Sequence, residues 1–390
     1  MKTATVTWVT YNNYGTLLQA YALQKQIEMF GHENVILNDN QILKEYFAAK
    51  RKNVSAAKPV PQNAGETAAQ RVKRLLLNPG MLYRRLLARA NPVKYAFPYE
   101  GSQNACQKFK KESLKIRDDV IPGELAGLNQ MYDVFITGSD QIWSVFDSIF
   151  NPYYYLDFVQ GRKISYAPCM GTDQIPADTA KQIQVLLEDY EAVSVREDVS
   201  ARQLSEITGR DVAWVCDPTL LHDADFWMDF TVGIPAPNEK YLLCYFLESR
   251  PWYFELAKSL AKQLGLKLKL IPSRWEHLGS QYVIADAIGP REFVSLFRHA
   301  DYVLTDSYHG SIFSLIFEKD FQYLLRFRSD DPASQNIRIQ SLFDRLDLQC
   351  RIVSPEREEI SIPMDYTLIK EKLAVFRESS KQFLRKSFEE

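Results

Sequence analysis

The chain has 390 residues, of which 46% are hydrophobic and 25% charged, and its formal net charge is −2. This length predicts two domains with additional segments, because a single domain usually takes roughly 150 residues. No apolar run reaches the roughly 20 residues that span a bilayer, and the first residues lack a signal-peptide core. We therefore expect a cytoplasmic protein. The slightly acidic balance, without a recognition motif, argues against nucleic-acid binding.

The five cysteines are odd in number and widely separated along the chain: Cys106, Cys169, Cys216, Cys244 and Cys350. None forms a CxxC pair, and none has a histidine at ligand spacing. We expect buried thiols in a reducing compartment, with neither a disulfide framework nor a metal site.

The first forty residues predict a strand, a helix and a second parallel strand. Ala4, Val6 and Trp8 alternate with polar residues as in a strand, and apolar residues then recur at helical spacing until Gly31. Val35 begins the next apolar run. Parallel strands joined by a helix indicate an α/β fold.

A basic segment interrupts this pattern between about residues 44 and 115. From Lys44 to Lys94, twelve basic residues stand against only Glu45 and Glu66. We predict a helical insertion or a mobile lid. The insertion is either simply solvated, or in contact with an anionic membrane surface, or a gate over the cleft.

Four further apolar runs complete the first predicted domain, residues 1–222, and each run ends in a polar or glycine-bearing loop. They are 132–137, 163–167, 192–195 and 212–216. Strands that end in such loops favour one doubly wound sheet.

A second Rossmann-like domain is predicted for residues 223–360, after an Asp- and Pro-rich joint. Its strands and helices alternate from Tyr241 to Leu325. Residues 361–390 predict an amphipathic helix packing across both domains, with Leu368, Leu373, Phe376 and Phe383 on its buried side.

The stretch TDSYHG, Thr305–Gly310, lies where a buried strand leads into a buried helix. Ligands of open parallel sheets bind beyond such strand ends, near helix N-termini that attract anions. Ser307 offers hydrogen bonds, His309 offers an imidazole, the usual acid-base group near neutral pH, and Gly310 allows close backbone approach. The alternative is a capped helix with a core histidine.

Seven segments together resemble the polysaccharide pyruvyl transferase family. In chain order they are NNYGTLLQAYAL (12–23), FITGSDQIW (135–143), ISYAPCMG (164–171), SVRED (194–198), CDPTLL (216–221), TDSYHGSIFSLIF (305–317) and NIRIQSLF (336–343). The resemblance implies two Rossmann-like domains arranged as in GT-B glycosyltransferases. It also implies transfer of the enolpyruvyl unit of phosphoenolpyruvate to sugar hydroxyls as a ketal.

The resemblance implies a catalytic role for His309, as an acid or as a partner of the leaving phosphate, and donor binding by Arg196. A guanidinium group binds carboxylate or phosphate in a bidentate manner. Many members of the family carry an arginine two residues before the histidine, where this chain has Ser307. The expected replacements include Arg338, in the NIRI segment that begins at Asn336; the others are Arg326 and Arg328.

Acceptor or cleft roles are predicted for residues of the first domain and for Tyr308. Asp140 would be the base for a sugar hydroxyl or a ligand of the sugar, and Trp143 and Tyr308 would stack on the sugar ring. The remaining candidates are Asn12, Asn13, Gly15, Gly138, Ser139 and Gln141. For these the alternatives are helix caps, a turn or core packing, and for Arg196 a surface ion pair with Glu197 or Asp198.

Two other functions remain open at this point. A GT-B glycosyltransferase using a nucleotide sugar would share the architecture, with Glu318 and Asp320 as its acidic pair. A non-catalytic binding protein could share it too. We expect phosphoenolpyruvate as a co-substrate without any cofactor or metal, and a saccharide acceptor that is free or lipid-linked. The inner face of the membrane is an alternative location, and the oligomeric state is open.

Overall fold

A computed structural model describes residues 1–53, 100–145, 150–284, 286–328, 331, 334–355, 360 and 363–389. Its strands are β1 Lys2–Val6, β2 Glu33–Leu37, β3 Ile116–Arg117, β4 Val134–Thr137, β5 Arg162–Ser165, β6 Ser194–Val195, β7 Ala213–Trp214, β8 Tyr241–Tyr245, β9 Lys267–Ile271, β10 Tyr302–Thr305, β11 Asp320–Leu324 and β12 Ile352–Val353.

The α-helices of the described residues are numbered in chain order. They are α1 Tyr14–Met29, α2 Asn40–Asn53, α3 Glu100–Ser113, α4 Ala177–Leu186, α5 Asp198–Thr208, α6 Ala224–Phe230, α7 Pro251–Leu264, α8 Pro290–His299, α9 Tyr308–Ile316, α10 Ile337–Leu346 and α11 Thr367–Glu389. A short 3-10 turn over Pro218–Leu221 joins the two halves of the molecule.

The first lobe is built on a five-stranded parallel sheet in the order β3-β2-β1-β4-β5. Apolar side chains of β4 alternate between two cores, with Val134 and Ile136 in one and Phe135 in the other. Both faces of the sheet are therefore covered, as the near-continuous apolar runs of the sequence predict.

Strands β6 and β7 do not continue this sheet as full members, although the sequence favours one sheet for all four runs. They pair with each other in a separate two-stranded sheet. A single bridge joins Ile164 to Ala192, and the Ser165 hydroxyl donates to the Ser194 carbonyl over 2.9 Å. The side-chain hydrogen bonds of Ser165 and Ser194 thus take the place of a regular ladder, and β6–β7 extends the first lobe beyond β5.

The second lobe is built on a parallel sheet in the order β12-β11-β10-β8-β9. Leu243, Tyr245 and Val303 point into the core shared with the first lobe, whereas Leu242 and Leu304 point into a separate core on the opposite face. Two such sheets confirm the expected α/β class with two Rossmann-like, GT-B-like units.

The C-terminal helix α11 contacts both lobes. The backbone N–H of Cys216 in the first lobe donates to the Ser380 hydroxyl over 2.9 Å, and the guanidinium carbon of Arg345 in α10 lies 3.9 Å from the centre of the Phe376 ring. Leu373 and Phe376 are buried as expected, but Leu368 is 55% exposed, so its predicted burial is wrong. Ile369, the next residue, faces the core instead.

The expected domain limits at residues 222 and 360 remain predictions. Most of the basic segment, residues 54–99, lies outside the described residues, and so does any role predicted for it. Within the described ranges, no helix combines the length and apolar character needed to cross a bilayer.

Two buried histidines make the stability of the fold sensitive to acid. Nε2 of His222 donates to the Ala22 carbonyl over 2.9 Å, and burial lowers the pKa of both His222 and His277 to about 4. The unfolded chain therefore takes up protons before the folded protein does, so stability is lost as the pH falls from about 6.5 toward 4. Each histidine contributes up to about 3 kcal/mol to this loss.

We expect urea unfolding midpoints that are stable above about pH 7 and fall steeply between pH 6.5 and 4. In the variant His222→Asn the unfolding midpoint should decrease less between pH 6.5 and 4 than it does in the wild type. An unfolding midpoint that does not change over this interval would contradict the burial of neutral imidazoles.

Candidate active site

In each sheet there is one pair of neighbouring strands at which the order of the strands along the chain reverses. The two pairs face each other across the lobes. In the first sheet the reversal lies between β1 and β4, and in the second between β8 and β10. Such reversals open a crevice beyond the carboxyl ends of the strands, where ligands of open α/β sheets bind. Helix α1 begins beside the first crevice, and α9 begins beside the second.

The N-terminus of α1 supplies a capped helix end to the cleft. The Asn13 side chain accepts from the Thr16 N–H over 3.2 Å, and the Asn12 carbonyl oxygen Oδ1 accepts from Gln107 over 3.1 Å. A methyl group added to Gly15 would lie 2.1 Å from Nδ1 of His309. Because Gly15 has no side chain, the histidine ring of the second lobe fits against the start of α1.

The turn after β4 places a carboxylate at the same edge of the first sheet. Gly138 has φ +133°, and a methyl group there would lie 1.9 Å from the Tyr166 carbonyl oxygen. Asp140 has φ 70°, a backbone region that non-glycine residues rarely adopt. Its carboxylate accepts from the Thr16 hydroxyl over 2.6 Å and from the Gln141 N–H over 2.9 Å. Asp140 is thus fixed beside the start of α1.

Helix α9 begins at the strand end of β10 as the sequence predicts. Ser307 caps it by accepting from the Gly310 N–H over 3.3 Å. A methyl group at Gly310 would lie 2.4 Å from Oγ1 of Thr305, so close packing within the second lobe explains this glycine without a ligand. The donor-binding roles of Ser307 and Gly310 remain predictions.

His309 and Arg196 meet at one buried carboxylate, that of Asp217. Nε2 of His309 lies 3.5 Å from Oδ2 of Asp217, and Nη1 of Arg196 lies 2.5 Å from the same oxygen. The backbone N–H and hydroxyl of Thr219 donate to Oδ1. Burial alone would raise the pKa of the Asp217 carboxyl, but His309, Arg196 and Thr219 hold it well below its usual range.

Arg196 is 3% exposed, so the alternative of a surface ion pair with Glu197 or Asp198 is wrong. Its guanidinium carbon lies 4.4 Å from the centre of the Tyr308 ring. One face of that ring is therefore covered by arginine, and the stacking of Tyr308 on a sugar stays a prediction. Nε and Nη2 of Arg196 are buried without a hydrogen-bond partner among the described residues.

Arg326 and Arg338 lie near Arg196 on the side of the second lobe. Both donate a hydrogen bond to Oε1 of Gln335, over 3.5 Å from Arg326 and over 2.8 Å from Arg338. Burial lowers the pKa of Arg338, and the neighbouring guanidinium groups of Arg326 and Arg196 lower it further. Among the described residues neither Arg326 nor Arg338 forms an ion pair with a carboxylate, although the Asp306 carboxyl lies close enough to interact with the charge of Arg326.

Arg328 and Asn336 flank this cluster in different ways. Arg328 is exposed. Asn336 is buried and donates from its amide to the Phe327 carbonyl over 2.9 Å, which holds the segment that follows Arg326. Its Oδ1 is buried without a partner among the described residues. Donor binding by either residue stays a prediction.

Trp143 does not offer a stacking surface for an acceptor sugar. It is 0% exposed, its Nε1 donates to the Tyr154 carbonyl over 2.9 Å, and its ring stacks on Tyr155 at 4.8 Å. Ser139 is equally buried and donates to the Ala167 carbonyl over 2.7 Å. The predicted cleft roles of Trp143 and Ser139 are therefore wrong, because both side chains complete the core beneath the turn.

Gln141 reaches the place where the lobes meet. A methyl group at Gly171 would lie 2.9 Å from Nε2 of Gln141 and 4.0 Å from Cγ of Gln335. Gly171 has φ +73° and ends the ISYAPCMG segment. Gln141 of the first lobe thus lies close to the glutamine that holds Arg326 and Arg338.

Asp217, Gln335 and Thr16 hold site residues in place and were not predicted from the sequence. Asp217 stands in the CDPTLL segment, so the signal was present, but nothing in the sequence shows that it faces His309. Asp306 is different, because it accepts from the Leu247 and Glu248 N–H groups over 2.5 and 2.9 Å. Burial raises the pKa of its carboxyl to about 6.

No cluster of three or more His, Cys, Asp or Glu side chains suited to a metal occurs among the residues that the structure describes.

Comparison with known proteins identifies the class to which this site belongs. A family model described as polysaccharide pyruvyl transferase matches residues 13–321, which is most of the chain. The chain belongs to the polysaccharide pyruvyl transferase family and is therefore a transferase of polysaccharide biosynthesis. The match includes Gly15, Asp140, Arg196, Asp217 and His309. A search of curated proteins found no match.

Several solved structures are similar in fold at low identity. The heptosyltransferase WaaC of E. coli with ADP has 14% identity and a TM-score of 0.39, covering 99% of this chain and 100% of that one. The UDP-GlcNAc 2-epimerase of Methanocaldococcus jannaschii has 11% identity and a TM-score of 0.42, covering 97% and 92%. The Streptomyces sp. SF2575 glycosyltransferase SsfS6 has 11% identity and a TM-score of 0.42, covering 100% of both chains.

Proposed function

We propose that the protein transfers the enolpyruvyl group of phosphoenolpyruvate to two hydroxyls of a saccharide, forming a pyruvate ketal. The observation that carries this proposal is the arginine cluster Arg196, Arg326 and Arg338 beside His309. Phosphoenolpyruvate has a phosphate and a carboxylate on three carbons, and guanidinium groups bind both anions through paired N–H donors.

The unpaired N–H groups support an anionic ligand at this place. Nε of Arg326 and two nitrogens of Arg196 are buried without partners among the described residues. A buried donor without a partner costs about 1–3 kcal/mol, more when it is charged. A doubly anionic donor would satisfy these groups and balance the charge of the cluster.

The reaction needs an acid, a base and a place for the leaving group. Two acceptor oxygens bond to C2 of the donor, the methylene carbon gains a proton and becomes a methyl group, and the bond from C2 to the phosphate oxygen breaks. One of the two hydroxyl protons replaces the proton given to the methyl group, and the other leaves with inorganic phosphate. In this proposal His309 protonates the methylene carbon, and Asp140 accepts the proton of the attacking hydroxyl.

The proposed acid His309 and the proposed base Asp140 come from opposite lobes, which suits a reaction between two bound substrates. His309 stands at the start of α9 and Asp140 beside the start of α1, where Gly15 receives the histidine ring. A donor held by the arginine cluster and an acceptor on the first lobe would then meet between them, as a bimolecular transfer requires.

The direct test is incubation with phosphoenolpyruvate and bacterial glycan fragments. We expect released inorganic phosphate together with a glycan whose mass has increased by one pyruvyl ketal. Release of a nucleoside diphosphate from a sugar nucleotide, with no reaction of phosphoenolpyruvate, would favour a glycosyltransferase instead. Glycans with and without a lipid carrier would identify the acceptor class.

Replacing Arg338 with glutamine should weaken donor binding. The loss of a charge-assisted hydrogen bond raises the KM for phosphoenolpyruvate by about tenfold or more, because such bonds contribute roughly 1.5–3 kcal/mol. Steady-state phosphate release measures this change. Arg202→Gln on the exposed surface of α5 is a matched control, and its KM should stay that of the wild type. Equal KM values in Arg338→Gln and wild type would contradict the cluster as the donor site.

A further inference from the structure

His309 reaches into the cleft from the second lobe, but its nearest charged partner belongs to the first. Helix α9 follows strand β10 of the second sheet, whereas Asp217 follows β7, which pairs with β6 beside the first sheet. Helix α1 of the first lobe receives the other side of the imidazole at Gly15. The ring is thus held between two elements of a lobe that does not contain it.

Asp217 is placed to fix this ring and is itself held firmly. Its Oδ1 accepts both hydrogen bonds of Thr219, over 3.0 Å from the N–H and 2.6 Å from the hydroxyl, which leaves Oδ2 for the cations. Oδ2 lies 3.5 Å from Nε2 of His309 and 2.5 Å from Nη1 of Arg196. A carboxylate with 0% exposure has no water to replace these partners.

We propose that Asp217 is the positioning residue of His309: its carboxylate fixes the imidazole ring and supplies the opposite charge to its imidazolium form when the two lobes stand as in this structure. The inference rests on the role proposed for His309 above and adds to it the residue that orients the histidine. It also couples the acid to the arrangement of the lobes.

The two ring nitrogens have different surroundings. Nε2 lies 3.5 Å from Oδ2 of Asp217 and is buried without a hydrogen-bond partner among the described residues, whereas Nδ1 lies against the backbone of α1 at Gly15. A carboxylate on one nitrogen of an imidazole orients the ring and stabilises its charged form. Arg196 has the opposite effect on that charge, because it is a cation bound to the same oxygen.

Two substitutions should therefore shift the pH midpoint of the His309 ring signals in opposite directions. Asp217→Asn removes the negative charge and should lower the pH midpoint of the His309 ring signals in 15N NMR by about one unit or more. Arg196→Gln removes the competing cation and should raise that midpoint. Arg202→Gln on the exposed surface of α5 is the control, and it should leave the midpoint unchanged.

Kinetics with phosphoenolpyruvate give a second readout. Asp217→Asn should lower kcat by about tenfold or more with a nearly unchanged KM, and the loss of kcat at high pH should begin at lower pH than in wild type. Arg196→Gln should raise the KM instead. A residue that only supports the fold would lower the amount of active protein and leave the pH profile in place.

An Asp217→Asn protein that folds and titrates at His309 like the wild type overturns the inference. If this variant does not fold, Arg196→Gln decides, because a His309 midpoint that stays the same or falls contradicts a carboxylate shared with the arginine. The NMR titration needs no substrate. Shifted midpoints in a protein that releases no phosphate from phosphoenolpyruvate would support the positioning role of Asp217 and refute the proposed donor.

Discussion

Substitution of His309 by glutamine lowers the turnover of phosphoenolpyruvate by about a hundredfold or more, the usual loss when an acid-base group is removed. The thermal midpoint should change little, because glutamine nearly fills the same volume and the ring is 9% exposed rather than sealed in a core. Phosphate release and differential scanning calorimetry on the same preparations measure both quantities.

His299→Gln is the matched control for that substitution. His299 ends α8, where its Nδ1 lies 2.9 Å from the Ser295 carbonyl, away from the cleft. Its turnover should equal that of the wild type. A His309→Gln protein that fails to fold, or that keeps full turnover, would show that the histidine is a packing residue.

Gly15→Ala should have the second large effect, again through His309. The added methyl group would lie 2.1 Å from Nδ1 and 2.5 Å from Cγ of the ring, so the imidazole has to leave its place beside α1. We expect kcat to fall by about a hundredfold or more, close to the loss from removing the acid itself. Steady-state phosphate release measures this loss.

The stability of Gly15→Ala separates this effect from damage to the fold. Alanine is favoured over glycine within a helix by about 1 kcal/mol, so α1 itself should not be weakened. Gly127→Ala is the control, because a methyl group there meets nothing within 4 Å. Turnover of Gly15→Ala equal to that of Gly127→Ala would contradict the position of His309 between the lobes.

The sequence was sufficient to predict the α/β class and the helix that begins after Thr305. Polar residues between two apolar runs mark a strand end that leads into a helix, and Ser307 caps α9 as such a pattern implies. Asn13 caps α1 and Asp140 stands at the turn after β4, as the alternatives to their predicted site roles had it. These features are local, so the chain encodes them within a few residues.

Contacts between distant segments could not be predicted in this way. Asp217 and His309 are far apart in the chain, and only the arrangement of the lobes brings them to 3.5 Å. Trp143 follows a site-like turn, yet Tyr154 and Tyr155 enclose it. Leu368 shows the same limit at the start of α11, where a one-residue difference in helix phase turns Leu368 outward and Ile369 inward.

A crystal structure of the protein with phosphoenolpyruvate tests the central claim most directly. We predict that phosphate and carboxylate oxygens lie within hydrogen-bonding distance, roughly 2.7–3.2 Å, of guanidinium groups from Arg196, Arg326 and Arg338, with the methylene carbon beside the His309 ring. Phosphoenolpyruvate bound outside the space between the lobes, or absent from crystals soaked at saturating concentration while this space is open, would contradict the claim.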